Sequence, residues 1–447
     1  MHLSEFKQYA KELLNIAMPI IMGNLGFILI AAGDVLIAGR HSTDTLAAIS
    51  IATAISNCII TLGIGLTTSV SPVLSNLRGA RKPTKKYFYP TIRFAMFWAF
   101  IIMLAILAFV PLIDIMHFEQ HLVPMIKEYM IITAFATFGG YLHASLKEFL
   151  QAFEIVLFPN LVTVFAVFLN ILLNIILVFG CGPIPSLGVV GLAIASFIVR
   201  YFMGFALLFY CLKIMKFKDC SITKEYYKSL IKVGLPISLA IMIEFVAFNS
   251  IAVFMGQVSG VYAAAQNLVC TLTSISFMVP LAISNAIAVK VGFANGSQNI
   301  VDLRRYAFIG TGIAVGFMAL SSIVFACIPD ILVKLFTSDD ALIKISVPVI
   351  YILACFQVFD GLQVSLAGIF KGLKRTKIVM ITNFICFWLY FIPVGYILAF
   401  KYNLMLIGFW CGLISAAILL CLILSIYLYK NLSAMRKNLN FIPLDEC

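Results

Sequence analysis

LLNIAMPIIMGNLGFILIAAGDVLIAG, the stretch from Leu13 to Gly39, runs for 27 residues with one charged side chain, Asp34. A helix needs roughly 20 predominantly apolar residues to cross the hydrocarbon core of a bilayer, so this stretch reads as a membrane span. Charged residues bound it on both sides, Lys7, Lys11 and Glu12 before it and Arg40 after it. No A-x-A cleavage site follows, so the segment is expected to remain as the first span rather than leave as a signal peptide.

The same texture continues along the whole chain. Of its 447 residues, 62% are hydrophobic and 11% charged, with a mean hydropathy of +1.07. Soluble domains run near 45–50% apolar and about 25% charged. No water-facing surface can be built from this composition, which excludes a soluble enzyme or nucleic-acid binder, and the abundance of apolar surface excludes disorder. Apolar runs bounded by Gly, Pro and charged clusters fall at 13–39, 45–71, 92–113, 126–150, 158–180 and 187–212. A second set falls at 230–258, 262–290, 306–328, 343–369, 377–400 and 404–429. These runs lack the ten-residue alternation of barrel strands, so the expected fold class is an all-α integral membrane protein with twelve transmembrane helices. Pro19, Pro236, Pro348 and Pro393 fall inside spans, where neighbouring helices can re-satisfy the freed backbone groups.

The net charge of +12 could suggest a polyanionic partner. The distribution of basic residues gives another cause. With the N-terminus placed inside, 25 of the 31 Lys and Arg residues fall on one side of the membrane. They include Arg78 to Arg93, the lysines from Lys213 to Lys232, and Lys371 to Lys377. Arg40, Lys127, Lys334, Lys344 and Lys401 fall on the other side, and Arg200 lies within a span. By the positive-inside bias both termini are expected in the cytoplasm of a multi-pass plasma (inner) membrane protein. The charge then needs no nucleic acid, and anionic membrane lipids are the expected partners of the basic rim. The eleven cysteines are scattered through apolar runs and read as free buried thiols.

Shifting the chain by 217 residues brings Pro19 onto Pro236, Gly39 onto Gly256, Ala47 and Ala48 onto Ala264 and Ala265, and Gly79 onto Gly296. A shift of 220 brings Ser145 onto Ser365 and Gly188 onto Gly408. Small residues recur where membrane helices approach closely. Six spans per half make both halves enter from the same side, giving two six-helix lobes related by a pseudo-two-fold axis along the membrane normal. The expected organisation is an N-terminal lobe over 1–212, a linker over 213–229, a C-terminal lobe over 230–429 and a tail over 430–447. Such a design implies alternating access around a site near mid-depth, in a chain expected to act as a monomer. The five histidines form no H-E-x-x-H set, so an enzyme is not expected and no cofactor is called for. Asp339 and Asp340, with Thr337 or Ser338 as cap, read as the start of span 10, and Asp44 as the cap of span 2.

An ionisable side chain at a helix centre costs about 2.5–3.5 kcal/mol and is a functional hypothesis by default. Three acids lie deep: Asp34 in span 1, Glu244 in span 7 and Asp360 in span 10. Gln357 and Gln363 flank Asp360 three residues away on either side, a spacing that shares a helix face. Asn170 and Asn174 lie one turn apart in span 5, and span 6 offers Ser196 with Arg200 one turn on. Asp34, two amides and a hydroxyl can form an all-oxygen shell for a small hard cation. The same amides are equally suited to interhelical hydrogen bonding, and Arg200 to serving as an internal counter-charge.

At these residues the chain resembles the multidrug and toxic compound extrusion (MATE) family of cation-coupled antiporters. The resemblance rests on G-D-x-x-x-A-G at Gly33–Gly39, R-G-A-R-K at Arg78–Lys82, A-N-G-S at Ala294–Ser297 and K-G-L-K-R-T-K at Lys371–Lys377, in that order. It implies an antiporter that exports organic cations or other amphipathic small molecules, with Na⁺ or H⁺ as coupling ion. It further implies a cation or proton site at Asp34, Asn170, Asn174 and Ser196, and C-terminal coupling acids at Glu244 and Asp360, with Na⁺ as a candidate ligand of either Asp34, Asn170 and Asn174 or Glu244 and Asp360 and H⁺ as the alternative. Substrate contacts are expected at Asp360, Glu244, Gln357, Gln363 and Arg200. The family often carries a second acid in span 5, where this chain has Asn174. The alternative reading is a flippase of lipid-linked saccharide or peptidoglycan precursors, for which several deep basic residues are required and Arg200 alone is seen. A membrane-embedded transferase or a scaffold is the remaining alternative, and no catalytic cluster favours it.

Overall fold

The computed structural model describes residues 3–183, 185–214 and 224–439. The inner part of the expected linker and the end of the expected tail therefore lie outside the described residues. Twelve helices among those described are long and apolar enough to cross a membrane. The first six are α1 (Ser4–His41), α2 (Thr43–Gly79), α3 (Lys85–Ile115), α4 (Leu122–Ala152), α5 (Leu157–Phe179) and α6 (Gly188–Ile214). The second six are α7 (Lys224–Val258), α8 (Gly260–Gly296), α9 (Ile300–Cys327), α10 (Asp340–Gly372), α11 (Thr376–Lys401) and α12 (Met405–Met435). Each coincides with one of the apolar runs read from the sequence, eight enclosing the run whole and four falling one residue short at one end.

The helices extend beyond those runs chiefly at their basic ends. Helix α2 continues to Gly79 and α8 to Gly296, while α7 starts at Lys224. Hydropathy marks only the part of a helix that lipid must cover, and the extensions are held by polar contacts instead. Asn76 in α2 donates to the Gly372 carbonyl at 2.8 Å and accepts from Asn295 Nδ2 at 2.6 Å. At the start of α1, Glu12 accepts from Lys290 at 3.1 Å and from the Tyr306 hydroxyl, while Tyr9 donates to Asp302. Arg305 reaches Glu5 at 3.3 Å. Helix α2 is capped by Ser42, which accepts from Thr45 N at 3.0 Å, leaving Asp44 in the first turn. Helix α10 is capped by Asp339, which accepts from Ala341 N, rather than by Thr337 or Ser338.

The internal repeat is visible as a contact. A Cβ on Gly79 would collide with the Phe293 carbonyl, and one on Gly296 with the Asn76 carbonyl. Asn76 and Phe293 are themselves separated by the repeat offset of 217 residues. Equivalent turns of α2 and α8 thus press backbone to backbone in a reciprocal pair, which only glycine permits.

The chain divides into two compact units. One comprises Met1–Ala17, Ser75–Arg81 and Leu239–Cys447, the other Met18–Leu74 and Lys82–Ser238. Helices α1, α2 and α7 each pass from one unit to the other along their length. A proline lies within three residues of every changeover: Pro19, Pro72, Pro83 and Pro236. Helix α11 is irregular, with π-helical turns over Phe384–Phe391 and Ile397–Lys401. Such widened turns are frequent at functional sites.

Candidate functional site

In the unit containing Met18–Leu74 and Lys82–Ser238, the Gly33–Asp34 step lies on the side of α1 that meets α5. A Cβ on Gly33 would approach Ile171 at 3.5 Å and Asn170 Oδ1 at 3.8 Å. Asn174 Nδ2 donates to Asp34 Oδ1 at 2.6 Å and to Asn170 Oδ1 at 3.1 Å, and Ser196 Oγ donates to Asp34 Oδ2 at 3.4 Å. Asn170 and Asn174 are fully buried and Asp34 is half-buried. Two amide atoms, Asn170 Nδ2 and Asn174 Oδ1, are buried with no hydrogen-bond partner. A buried amide oxygen without a donor is costly to leave unpaired and is a ready ligand for a visiting cation. Together with the Asp34 carboxylate and the Ser196 hydroxyl it makes an oxygen set that suits Na⁺ or a proton.

Arg200 lies one turn beyond Ser196, within electrostatic range of Asp34. Its backbone is pinned by a close helix approach, because a Cβ on Gly139 of α4 would meet the Arg200 carbonyl carbon at 2.8 Å. Sequence reasoning missed Tyr129 and Tyr141 of α4. Both are buried, within electrostatic range of Arg200, and Tyr141 donates to the Ile60 carbonyl at 2.9 Å. Aromatic composition hides such residues, because a tyrosine in a span reads first as apolar bulk. Lys147 is half-buried above the Phe27 ring at 5.5 Å.

In the other unit, Gln363 Nε2 donates to Glu244 Oε1 at 3.0 Å, joining α10 to α7. Asp360 is 2% exposed and accepts no hydrogen bond among the described residues. It lies one turn from Gln363 and within electrostatic range of Glu244. Gln357 is fully buried, with neither amide atom paired, and Gln363 Oε1 is also without a donor. The polar stripe on α10 therefore presents one carboxylate and two unused amide oxygens beside a second carboxylate. Helix α11 braces α7 in the turn that leads into Glu244. Asn383 donates to the Ala240 carbonyl at 3.4 Å and Trp388 to the Ile243 carbonyl at 3.2 Å. These two residues were not legible as site neighbours, since nothing in a single helix names the carbonyl it will reach.

Phe248, one turn beyond Glu244, packs against Phe356, Phe387 and Trp410 with ring centroids 6.1–6.4 Å apart. Trp410 Nε1 donates to the buried Gln266 at 2.9 Å. Phe356, Phe387 and Trp410 are at most 1% exposed, so the rings packed on Phe248 form a closed wall rather than an open cation-binding face.

The chain is similar to known proteins along nearly its whole length. A protein named "Probable multidrug resistance protein NorM" from Mesorhizobium japonicum is 29% identical over 449 residues, covering 95% of this chain and 95% of its own length. A multidrug resistance protein NorM from Photobacterium profundum is 26% identical and covers 88% of each chain. Among solved structures, a eukaryotic MATE transporter superposes with a TM-score of 0.86 at 18% identity, covering 97% of this chain and 99% of that one. A MOP superfamily transporter from Pyrococcus furiosus superposes with a TM-score of 0.88 at 19% identity, covering 96% and 97%. These likenesses do not favour the flippase alternative. The MatE family model matches twice, over 19–176 and 236–397, and the two starts are separated by the same 217 residues that relate the halves. With most of its length matched in this way, the chain belongs to the MatE family, the MATE antiporters that its motifs resemble.

Proposed function

We propose that this membrane protein exports organic cations or other amphipathic small molecules from the cytoplasm by alternating access, in exchange for inward-moving Na⁺ or H⁺. One observation carries the reading: each of the two polar clusters at membrane depth joins a carboxylate to buried amides that still have unused atoms. The NorM relatives, named as multidrug resistance proteins, support the substrate class. In this scheme Glu244 and Asp360, with Gln357 and Gln363, hold the cationic substrate and the coupling cation in turn. Asp34, Asn170, Asn174 and Ser196 form a second cation-coupling set, and Arg200 acts as internal counter-charge. Spans α1–α6 and α7–α12 serve as the two lobes, with both termini in the cytoplasm and no cofactor.

Burial away from water makes charge on a lone carboxylate expensive, and a proton, a sodium ion or a cationic substrate relieves the cost. Competition among them for the carboxylates couples their movements. A cation arriving from outside displaces the substrate there, and its release inside leaves the anion ready for the next substrate. Each charge that moves with the membrane potential gains about 2.3 kcal/mol per 100 mV.

Efflux of a fluorescent organic cation from vesicles containing the purified protein tests the scheme, with Na⁺ and pH gradients imposed one at a time. At least one gradient should accelerate efflux severalfold. Indifference to both gradients would sink the antiport mechanism, and an absence of any transport would favour a scaffold.

A further inference from the structure

The adjacent arginines at the start of α9 are used differently. Arg305 is engaged by the Glu5 carboxylate and the Tyr9 hydroxyl. Arg304 makes one hydrogen bond, from Nη2 to the Leu432 carbonyl at 3.3 Å, and pairs with no carboxylate among the described residues. A guanidinium has five N–H donors in a fixed fork, so most of this one is left without an acceptor among the described residues. Arg304 stands at the mouth of a groove of about 790 Å³ between α9, α10 and α12.

The groove is graded in polarity. Ser433 lies beside Arg304 at its basic end, and Leu362, Leu366 and Ile369 of α10 form its floor. At the far end lie Ser425 and Thr311, whose hydroxyl is buried without a hydrogen-bond partner. The rim carries Phe308 and Tyr429, 79% and 75% exposed, too large to be left to water and suited to lipid contact. The three floor residues recur at intervals of four and three, which defines one helix face. By the same spacing Asp360 is on the opposite face of α10, so the groove is separate from the acid cluster.

We propose that this groove binds one anionic phospholipid, its phosphate on Arg304 and one acyl chain along the floor of α10. Paired N–H donors match phosphate oxygens in a bidentate geometry, and basic pockets between membrane helices recognise anionic headgroups in this way. A zwitterionic lipid offers the same chains and phosphate but adds a cation that the guanidinium repels. The inference needs neither the transport scheme nor the orientation of the termini, because binding can be read in detergent.

Native mass spectrometry of the delipidated protein, titrated separately with phosphatidylglycerol and phosphatidylcholine of identical chains, is the test. The wild type should retain one phosphatidylglycerol in preference to phosphatidylcholine. Arg304→Gln should weaken that retention by about tenfold, in line with loss of a charge-assisted hydrogen bond. Arg81→Gln, a basic position outside the groove, should leave it unchanged. Equal retention of the two lipids, or an undiminished preference in Arg304→Gln, overturns the site; so does an equal loss in Arg81→Gln, which would indicate diffuse surface charge. If Arg304→Gln fails to fold, Ser425→Trp fills the exposed far end while keeping the guanidinium. It should lower retention severalfold, and unchanged retention overturns the proposal.

Discussion

Asp34 and Asp360 are both aspartates in membrane-crossing helices, yet they are housed in opposite ways. Asp34 is half-buried and already receives an amide donor at 2.6 Å and a hydroxyl at 3.4 Å. Asp360 is almost wholly buried and receives no donor among the described residues; Gln363, one turn away, donates to Glu244 instead. The first carboxylate is solvated in advance by the protein. The second depends on whatever comes to it. The contrast assigns the stricter requirement for a visiting cation to the unit holding Glu244 and Asp360.

Substitutions of the acids test that contrast most severely. Asp360→Asn should lower vesicle efflux by about a hundredfold, since truncating one member of a buried charged interaction costs about 2–5 kcal/mol. Asp34→Asn should cost about tenfold, because Asn174 and Ser196 remain to hydrogen-bond the new amide. A larger loss in Asp34→Asn than in Glu244→Gln would reverse the assignment and move coupling to the Asp34 cluster.

Finer changes sharpen it. Gln363→Leu leaves Glu244 without its amide donor, and the apparent affinity for substrate should weaken by roughly fivefold, read from the concentration dependence of efflux. A change in maximal rate alone would mean that Gln363 shapes the transport cycle rather than binding. Asn174→Asp supplies the negative charge missing from span 5. The Na⁺ concentration for half-maximal efflux should then fall by about threefold, and a rise or no change would exclude Na⁺ from that cluster.

Much of the fold was legible because the bilayer imposes a simple rule. A stretch such as Leu13–Gly39 has no other stable fate than a span, and the offset that pairs Pro19 with Pro236 reappears as the Gly79–Gly296 contact. The Asp34 cluster was legible for a related reason. Polar side chains are so scarce at that depth that Asp34, Asn170, Asn174 and Ser196 must satisfy one another. Glu244 and Gln363, 119 residues apart, were both recognisable as polar, but their hydrogen bond depends on which helices become neighbours. The bracing by Asn383 and Trp388 depends on the pitch of the irregular α11, which composition does not encode. Tyr129 was concealed by chemistry, as a ring that reads as apolar and a hydroxyl that does not.

The compact unit that begins at Met1–Ala17 is completed only by Leu239–Cys447. A ribosome adds about 5–20 residues per second, so the first turns of α1 wait roughly twelve to fifty seconds before their partners in α8 and α9 begin to emerge. During that interval Glu12 and Glu5 are without Lys290, Tyr306 and Arg305. Biogenesis is therefore a matter of timing as well as insertion: the membrane machinery must deliver Leu239–Cys447 before the unit that begins at Met1 can close, and an N-terminal half made alone would carry ends cut for a partner it lacks.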